Sequence, residues 1–557
     1  MELEKQFNKK LQIRQLRSYM PINNQTTFTK YNMNKYIYLF AGLLFFISLK
    51  AQNRTEFRVY LKDKGSSLEL FKSPEKFLST AALNRRALQN IPINRSDLPL
   101  AKEYKQNLKE LGAISMAHSK WLNYIYVSHP QPQLFATLPF VERIEFPQKH
   151  QSFLCGVNSG DTLDYGYARG QIEILNGHLL HEEGYTGTGI NIAVIDAGYE
   201  GFLQSSAFDS LRISQRFMGS FNYISNDTNV FNGWGSHGTN VLSIMAANLA
   251  DTIIGTAPDA NYWLFTTENV YQETPLEMDH WVMAAEFADS VGVHVINSSL
   301  GYQLFDNPQD DYHYSDMDGN TTIITKAADM AAAKGILVVA AAGNTGDSQQ
   351  PHIVAPADGD SVLTVGAVSW QGDFASFSSI GPSFDKRVKP DVMAQGSPTT
   401  LIDGTGNFNA DFGTSYAAPQ IAGLVACLME AYPAKHGEEI ADYIRQSAHL
   451  HATPNDSMGY GIPDFQLALS LYAPKYLVQE TEYMLYPNPI QDHIIIDANT
   501  QKNWKANLRI FDLSGKCILS ENIQAYDAYR VNLDLLAGHY IIQLIGDING
   551  AFKFQSQ

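Results

Sequence analysis

Short apolar runs alternate with longer helical patterns through the middle of the chain. The runs cover residues 190–195, 262–265, 293–296, 336–341 and 362–365. Because they are nearly continuous, these runs are typical of strands buried on both faces of a parallel sheet. Helical spacing over 276–290 and 321–334, closed by Gly292 and Gly335, predicts crossover helices. The pattern favours an α/β fold with a doubly wound parallel sheet, whose sites gather where the strands end.

The segments on either side of this domain follow other patterns. Residues 56–148 predict a small α+β unit, with strands at 57–61, 124–127 and 141–146 and helices at 81–89 and 100–111. The tail from about residue 482 begins with a breaker cluster that includes Pro487 and Pro489. Alternating strands at 493–496, 508–511, 529–533 and 540–544 then predict a β-sandwich-like module.

The start of the chain carries a segment that is typical of secretion. A single basic residue, Lys35, precedes an apolar run at 36–49, and the small residue Ala51 follows. This pattern predicts a signal peptide at 33–51, with Met33 as the candidate initiator and 1–32 as an upstream extension. A buried helix or a membrane anchor is the alternative, but the run is short for a bilayer span.

Composition bounds the number of domains and excludes some functions. The chain has 557 residues, of which 45% are hydrophobic, so it is long enough for several domains. We place the boundaries of the three folded units at 52–150, 155–475 and 482–557. The formal net charge of −17 (40 Lys+Arg minus 57 Asp+Glu) argues against non-specific nucleic-acid binding. Cysteine is too sparse for a disulfide scaffold or a thiolate zinc site.

Three polar residues stand at the edges of elements in the α/β domain. Asp196 ends the first apolar run, where a carboxylate can orient an imidazole. His237 lies between glycines just before an apolar helix at 241–247. Ser415 opens an apolar helix at 421–431, where the N-terminal amides favour a developing negative charge. Taken singly, each residue has an ordinary explanation as a turn or capping residue.

Two further strand ends carry groups suited to acyl chemistry. Asn344 follows the strongest apolar run and offers a side-chain amide to an oxyanion, although an asparagine after glycine is a turn residue by default. Ser298, Ser299, Leu300 and Gly301 end another strand and offer backbone groups to an extended peptide. The alternative for this second segment is a plain strand-to-loop turn.

The joint pattern resembles the subtilisin-like serine peptidases. The residues that match are Asp196 with Ala197 and Gly198, His237 with Gly238 and Thr239, Asn344 after Ala342 and Gly343, and the motif from Gly413 through Ser415 to Pro419. The chain order Asp, His, Ser is the order found in subtilisin. The resemblance covers roughly residues 184–473. One departure stands out, because Tyr416 takes the place where the family usually has methionine.

The resemblance implies a subtilisin-like fold and a serine-type endopeptidase that works through an acyl-enzyme. Ser415 would attack the scissile carbonyl, His237 would take and return the proton, and Asp196 would hold the tautomer of the imidazole. Asn344 and the Ser415 amide would stabilise the oxyanion. The implied walls of the substrate site are Ser298, Ser299, Leu300, Gly301, Ala341, Ala342 and Gly343.

The resemblance requires no metal or other cofactor for the chemistry. An acidic loop is the one candidate for structural calcium, and its carboxylates are Asp306, Asp310, Asp311, Asp316 and Asp318. This loop lacks a full ligand spacing with a closing glutamate, so a solvated acidic loop is the preferred interpretation.

The flanking segments resemble known partners of such a domain. Residues 56–148 lie where the family carries a propeptide that assists folding and inhibits the site. The tail is similar to the C-terminal sorting domains of type IX secretion cargo in Bacteroidetes, through residues 486–489, 510–515 and 535–541. The expected partners are a protein or peptide substrate, the chain's own propeptide and the type IX machinery, with no nucleic acid. The expected location is secreted or cell-surface, reached through the periplasm.

Two other functions stay open on the sequence. One is a non-catalytic peptide-binding protein on the same fold, and the retention of Asp196, His237, Ser415 and Asn344 argues against it. The other is a surface adhesion protein carried by the β-rich tail, with the α/β domain incidental. Reaction with a serine-directed probe separates both from a peptidase.

Overall fold

The computed structural model describes residues 54–146, 149–150 and 165–472, together with stretches of the tail at 484–486, 492–497, 503–512, 517–526, 528–533, 535, 538–546 and 550–556. The predicted signal peptide at 33–51, Cys155, Pro487 and Pro489 lie outside the described residues. Among the described residues, no helix has both the length and the apolar character needed to cross a bilayer.

The N-terminal unit is a four-stranded antiparallel sheet covered by helices, with strand order β2-β3-β1-β4. Its elements are β1 (Thr55–Leu61), α1 (Thr80–Leu88), α2 (Lys102–Glu110), β2 (Ile114–Ser119), β3 (Tyr124–His129), α3 (Gln133–Ala136) and β4 (Val141–Glu145). Alternate residues of β1, such as Phe57 and Val59, point to one face of the sheet. There they are buried with Leu108 and Phe135 in a core of their own.

The central domain is built on a seven-stranded sheet with the order β15-β14-β13-β11-β6-β10-β7, in which every pairing is parallel. These strands are β6 (Asn191–Asp196), β7 (Phe217–Asn222), β10 (Asn261–Thr266), β11 (Val295–Ser298), β13 (Leu337–Ala341), β14 (Val362–Ser369) and β15 (Val392–Ser397). Short antiparallel pairs lie around it: β5 (Lys149–His150) with β12 (Asn307–Gln309), β8 (Asn248–Leu249) with β9 (Ile253–Ile254), and β16 (Thr399–Ile402) with β17 (Phe408–Asp411).

Helices cover both faces of this sheet. They are α4 (Arg169–Glu173), α5 (Gly177–Glu182), α6 (Asp209–Ile213), α7 (His237–Ala246), α8 (Pro275–Val291), α9 (Ile323–Ala333), α10 (Thr414–Ala431), α11 (Gly437–Ser447) and α12 (Phe465–Tyr472). Neighbouring residues of β6 enter opposite cores, because successive strand residues point to opposite faces. Val194 packs with α7 and α10, and Ile195 packs with α8 and α9. The domain is therefore doubly wound, as the apolar runs predict.

The N-terminal unit docks on α8 through ion pairs that are out of contact with water. Arg58 binds Asp279, with Nε 2.8 Å from Oδ1, and Arg85 and Arg86 both bind Asp289, at 2.6 and 2.7 Å. All of these side chains are at most 5% exposed. Guanidinium groups suit such sites because their several N–H donors can satisfy carboxylates without water.

A second contact on α8 wraps the carboxylate of Glu286. It accepts hydrogen bonds from Ser119 Oγ at 2.5 Å and from the backbone amides of Lys120 and Trp121 at 2.9 Å. The turn between β2 and β3 thus caps a charged side chain of the central domain. Burial raises the pKa of Glu286, and the Lys120 charge and these hydrogen bonds oppose the rise.

The tail forms two antiparallel sheets around one small core. One sheet contains β18 (Met484–Tyr486), β19 (His493–Asp497) and β22 (Ala528–Asn532), and the other contains β20 (Asn503–Asp512), β21 (Cys517–Tyr526), β23 (Gly538–Gly546) and β24 (Gly550–Ser556). Ile494 and Val531 of the first sheet are buried with Leu508 and Ile542 of the second. Sharing one core between two sheets is the arrangement of a β-sandwich.

Candidate active site

Asp196 and His237 meet at the carboxyl edge of the central sheet. Asp196 is the last residue of β6 and is fully buried, and His237 is the first residue of α7. His237 Nδ1 donates to Asp196 Oδ1 at 2.6 Å, and the Ala197 amide donates to the same oxygen at 2.7 Å. Helix α7 begins four residues before the predicted start at 241, so His237 lies in its first turn and not ahead of it.

A close backbone approach brings these two residues together. Gly198, two residues after Asp196, donates its amide to the carbonyl of Trp234 at 2.7 Å. A Cβ at position 198 would lie 2.4 Å from the Gly235 oxygen, which is too close for any side chain. Glycine at 198 therefore permits the packing that carries His237 to the end of β6.

The charges around His237 raise its pKa above the ordinary value for histidine. Burial lowers the pKa, but the carboxylates of Asp196, Asp411 and Glu268 and the Asp196 hydrogen bond outweigh it. The side chain of His237 is 34% exposed, so one edge of the ring faces the cleft. The exposed edge carries Nε2, since Nδ1 is bound to Asp196.

Ser415 is the second residue of α10. Gly413, which has a φ of 155°, is the residue immediately before this helix. The helix starts seven residues before the predicted 421, and it contains Pro419. Proline has no N–H, so the Ser415 carbonyl lacks its usual helical donor four residues on. The Ser299 hydroxyl donates to that carbonyl at 2.7 Å, and Ser415 Oγ donates to the Ser299 carbonyl at 3.1 Å. Ser415 is therefore bound to the segment predicted to hold substrate.

Asn344 lies beside the same helix start. Its Oδ1 accepts the Thr414 amide at 2.9 Å and the Thr414 hydroxyl at 3.0 Å. With the oxygen engaged, the amide nitrogen is the group that faces Gly413, where a Cβ would lie 3.7 Å from Nδ2. The side-chain amide therefore points a donor toward the backbone next to Ser415.

The two predicted wall segments of the substrate site are held side by side. Ser298 at the end of β11 pairs with Ala340 of β13, so residues 298–301 and 341–343 leave the sheet at the same edge. Val354 contacts both: a Cβ on Gly301 or on Gly343 would lie 2.3 Å or 3.0 Å from its Cγ2. Ser298 itself is fully buried and accepts Trp281 Nε1 at 3.0 Å. Ser299 and Leu300 follow it toward the cleft.

Three carboxylates that were not predicted gather next to this edge. The side chains of Glu268, Glu273 and Glu277 place one oxygen each within 4.8 Å of one another. Tyr302 Oη and Thr267 Oγ1 donate to Glu268 at 2.5 and 2.8 Å. Burial, followed by mutual repulsion, raises the pKa of Glu268 to about 8 and that of Glu277 to about 10.

The aspartates of the predicted calcium loop are arranged differently. Asp311 accepts the Phe305 amide at 2.8 Å, Asp316 accepts the His313 amide at 2.7 Å, and Asp318 accepts the Thr321 amide at 2.7 Å. Within the part of the chain that the structure describes, Asp306, Asp310, Asp311, Asp316 and Asp318 do not form a ligand group of the kind found at Glu268. These contacts are those of turn and cap residues.

The sequence analysis did not single out four residues next to the site. Val354 and Glu268 stand far from Ser415 in the chain, and each is an ordinary residue in its local pattern. Asp411 lies four residues before Ser415, and Thr414 directly precedes it within the motif from Gly413 to Pro419. The contacts of Asp411, Val354 and Glu268 depend on the tertiary fold.

Comparison with known proteins agrees with this geometry. The chain matches the Subtilase family model over residues 187–461, a peptidase S8 propeptide domain of Bacteroidota over 56–159, and a secretion system C-terminal sorting domain over 484–553. Subtilisin from Bacillus pumilus is 32% identical over 272 residues, which cover 48% of this chain and 87% of that protein. The chain belongs to the subtilase family.

The alignments to two other subtilisins span less of those proteins. Subtilisin NAT from Bacillus subtilis subsp. natto and subtilisin E from Bacillus subtilis are also 32% identical over 272 residues, and the alignment spans 63% of each. A crystal structure of MycP1 with the N-terminal propeptide removed is 22% identical, with a TM-score of 0.44, covering 55% of this chain and 98% of that chain. The sorting domain indicates export, so the protein is secreted or held at the cell surface.

Proposed function

We propose that this chain is a secreted serine endopeptidase that cleaves peptide bonds through an Asp196–His237–Ser415 triad. The observation that carries the proposal is the 2.6 Å hydrogen bond between His237 Nδ1 and the buried Asp196 carboxylate, at the sheet edge where the Ser415 helix begins. A buried carboxylate fixes one tautomer of the imidazole and leaves Nε2 as the base.

The chemistry follows from these positions. Ser415 Oγ attacks the carbonyl carbon of the substrate, and its proton passes to His237 Nε2 as the C–O bond forms. The proton then moves to the leaving amine, which departs and leaves an acyl-enzyme. Water repeats the sequence and releases the acid. Asp196 stays ionised and stabilises the imidazolium during both halves.

The oxyanion that forms on the carbonyl oxygen needs donors. Asn344 Nδ2 and the Ser415 amide fill this role, and the Thr414 contacts keep the amide oxygen of Asn344 turned away. Subtilisins are generally independent of cofactors for catalysis, and we propose the same here, with no metal in the reaction.

The substrate lies between the segments 298–301 and 341–343 as an extended strand. Their side chains are small and uncharged at Ser298, Ser299, Gly301, Ala341, Ala342 and Gly343, with Leu300 as the largest. An apolar or aromatic side chain before the scissile bond therefore fits better than a charged one. A peptide-library profile led by Lys or Arg at that position contradicts this preference.

The flanking units give the enzyme its maturation and its route. We propose that 52–150 is a propeptide that binds the 155–475 peptidase domain, that cleavage between about 147 and 171 releases it, and that 482–557 engages the type IX machinery. The buried ion pairs on α8 and the matched propeptide and sorting families support this division.

A fluorophosphonate probe tests the reaction directly. We expect wild-type protein to be labelled at Ser415, and Ser415→Ala to be neither labelled nor cut between 147 and 171 when produced alone. Ser470→Ala, which removes an exposed hydroxyl from α12, is the matched control and should be labelled like wild type. Correctly folded wild type that takes no label would mean a binding or adhesion protein.

A further inference from the structure

Tyr416 packs beside His237 and holds a carboxylate there. The centroids of the two rings are 5.6 Å apart, with an interplanar angle of 38°. The tyrosine hydroxyl donates to Asp411 Oδ2 at 2.9 Å, and the side chain is only 5% exposed. The family usually has methionine at this position, and a thioether has no hydroxyl with which to bind a carboxylate.

Asp411 is held from two elements. It is the last residue of β17, opposite Thr399 in the β16–β17 hairpin, and its Oδ1 accepts the Phe412 amide at 2.8 Å. The Tyr416 hydroxyl, from the start of α10, holds the other oxygen. Two donors from different elements therefore hold the Asp411 carboxylate at a fixed place.

The groups that face His237 come from four elements. Asp196 ends β6, Asp411 ends β17, Glu268 follows β10, and Tyr416 lies on α10. The charge of Asp411 follows that of Asp196 among the charges that raise the pKa of the imidazole. Burial and the nearby Asp411 charge raise the pKa of Tyr416, so its hydroxyl stays a neutral donor at working pH.

We propose that Tyr416 and Asp411 form a second positioning pair for His237: the ring of Tyr416 supports the imidazole, and its hydroxyl holds the Asp411 carboxylate where it stabilises the imidazolium. This inference rests on the proposed function for its catalytic meaning. When the Ser415 proton reaches His237 Nε2, the positive charge faces two ordered carboxylates, Asp196 by contact and Asp411 through space. Both residues are positioning residues, because neither touches the reacting atoms.

The pair predicts a specific change in titration. Asp411→Asn removes the charge and keeps the shape, so the pKa of His237 should fall by about half a unit, a modest shift because water screens the exposed edge of the ring. Tyr416→Phe keeps the ring and releases the carboxylate, so the pKa should fall by less. The acid limb of kcat/KM should move to lower pH by the same amounts, and kcat should drop about threefold for each variant.

An NMR titration tests the pair without requiring turnover. The starting protein is the full-length Ser415→Ala chain, labelled with ¹³C at the histidine rings. It is titrated without further change, and again with Asp411→Asn or Tyr416→Phe added. The signal that disappears in a His237→Gln variant is assigned to His237. Glu183→Gln removes an equal charge from an exposed side chain after α5 and should leave the His237 pKa unchanged. The pH dependence of kcat/KM is then measured for the same variants with Ser415 intact.

The outcomes separate this inference from the proposed function. A His237 pKa that falls in Asp411→Asn and Tyr416→Phe but not in the control supports the pair, even if wild type fails to react with a fluorophosphonate. An active wild type in which neither variant moves that pKa overturns the pair and leaves the peptidase standing. A drop in kcat with no shift of the acid limb also overturns it, since a packing defect has that result. If Asp411→Asn does not fold, Tyr416→Phe, which loses one oxygen, decides alone.

Discussion

At the scale of single residues, the site depends on polar groups whose partners are fixed before substrate arrives. The Asn344 side chain illustrates this, because Thr414 binds its oxygen twice and thereby orients its nitrogen. A preorganised donor lowers the barrier since no reorganisation is needed when the oxyanion forms. The position is therefore expected to matter for kcat far more than for substrate binding.

We predict that Asn344→Ala lowers kcat by about 10²- to 10³-fold and leaves KM within a few-fold of wild type. Steady-state kinetics on a short peptide substrate measures both. Thr414→Val, which removes one of the two donors to Oδ1, should give a smaller loss in the same direction. An Asn344→Ala enzyme with unchanged kcat would mean that other groups bind the oxyanion.

The carboxylate cluster of Glu268, Glu273 and Glu277 gives a second prediction for a single residue. Burial and Asp306 raise the pKa of Glu273 to about 7, above its ordinary value of 4.5. Between these values the folded state binds more protons than the unfolded state, so the free energy of unfolding falls as pH rises through this window. The contribution of Glu273 to the free energy of unfolding is complete below about pH 4.5 and is lost above about pH 7.

We therefore predict that Glu273→Gln stabilises the chain at pH 8, by on the order of 1–3 kcal/mol, and has little effect at pH 5. Urea unfolding of full-length Ser415→Ala protein, with and without the substitution, measures the difference without self-digestion. Glu183→Gln again serves as the exposed control. Equal stability gains at both pH values would show that packing, and not ionisation, causes the change.

At the scale of elements, the sequence predicted the strands of the central sheet that have neighbours on both sides and missed β7 and β15 at its two edges. Strands β6, β10, β11, β13 and β14 are flanked on both sides and read as apolar runs. Strand β7 (Phe217–Asn222) lies at the edge of the sheet and is half exposed, so Gly219 and Ser220 interrupt its pattern. Strand β2 is missed for the same reason, because its polar residues face α8 and solvent.

The start of α10 also differs from the prediction, because a contact from a distant part of the chain completes its first turn. Pro419 made a helix beginning at 421 the natural prediction, yet α10 begins at Thr414. The missing hydrogen bond at Ser415 is replaced by Ser299, a residue more than a hundred positions away. The candidate Asp, His, Ser and Asn residues could be proposed from the sequence because their local motifs are short and specific. Asp411 and Glu268 could not be proposed, because only the fold brings them near His237.

The docking of the N-terminal unit on α8 gives a prediction for that interface. Asp289 lies on the central domain, and its carboxylate binds Arg85 and Arg86 of the N-terminal unit. Asp289→Asn removes the buried carboxylate partner of Arg85 and one of the two carboxylates that bind Arg86, which keeps Asp97. Removing one partner of a buried ion pair costs about 3–5 kcal/mol. The cleaved propeptide should then inhibit the mature enzyme at least about 100-fold more weakly, while kcat on small peptides stays unchanged.

Inhibition constants of the cleaved propeptide with wild-type and Asp289→Asn enzyme test this. Glu183 is exposed and lies far from α8 in the sequence, so Glu183→Gln is the control for the change in net charge. An unchanged inhibition constant would place the binding free energy elsewhere, for example at Glu286 and the β2–β3 turn.

At the scale of the whole molecule, the tail has a core that is separate from the rest. The described part of the tail buries apolar residues between its own two sheets, whereas the N-terminal unit adds Trp121, Tyr124 and Tyr126 to the core around α8. A unit with a core of its own can fold and act without its neighbour. Within the stretches of the tail that the structure describes, no residue is hydrogen-bonded to Asp196, His237 or Ser415.

We predict that deleting residues 482–557 leaves kcat/KM of the purified enzyme within about twofold of wild type, because the described part of the tail buries a core of its own. In a host with type IX secretion, the same deletion should stop passage across the outer membrane and leave the enzyme in the periplasm. Activity assays on culture medium, periplasm and cell lysate measure both effects in one experiment. Undiminished enzyme in the medium would eliminate the sorting role, and a purified truncated enzyme without activity would instead assign the tail to packing against the catalytic domain. Normal activity combined with periplasmic retention is the outcome that a separate core and a matched sorting domain together require.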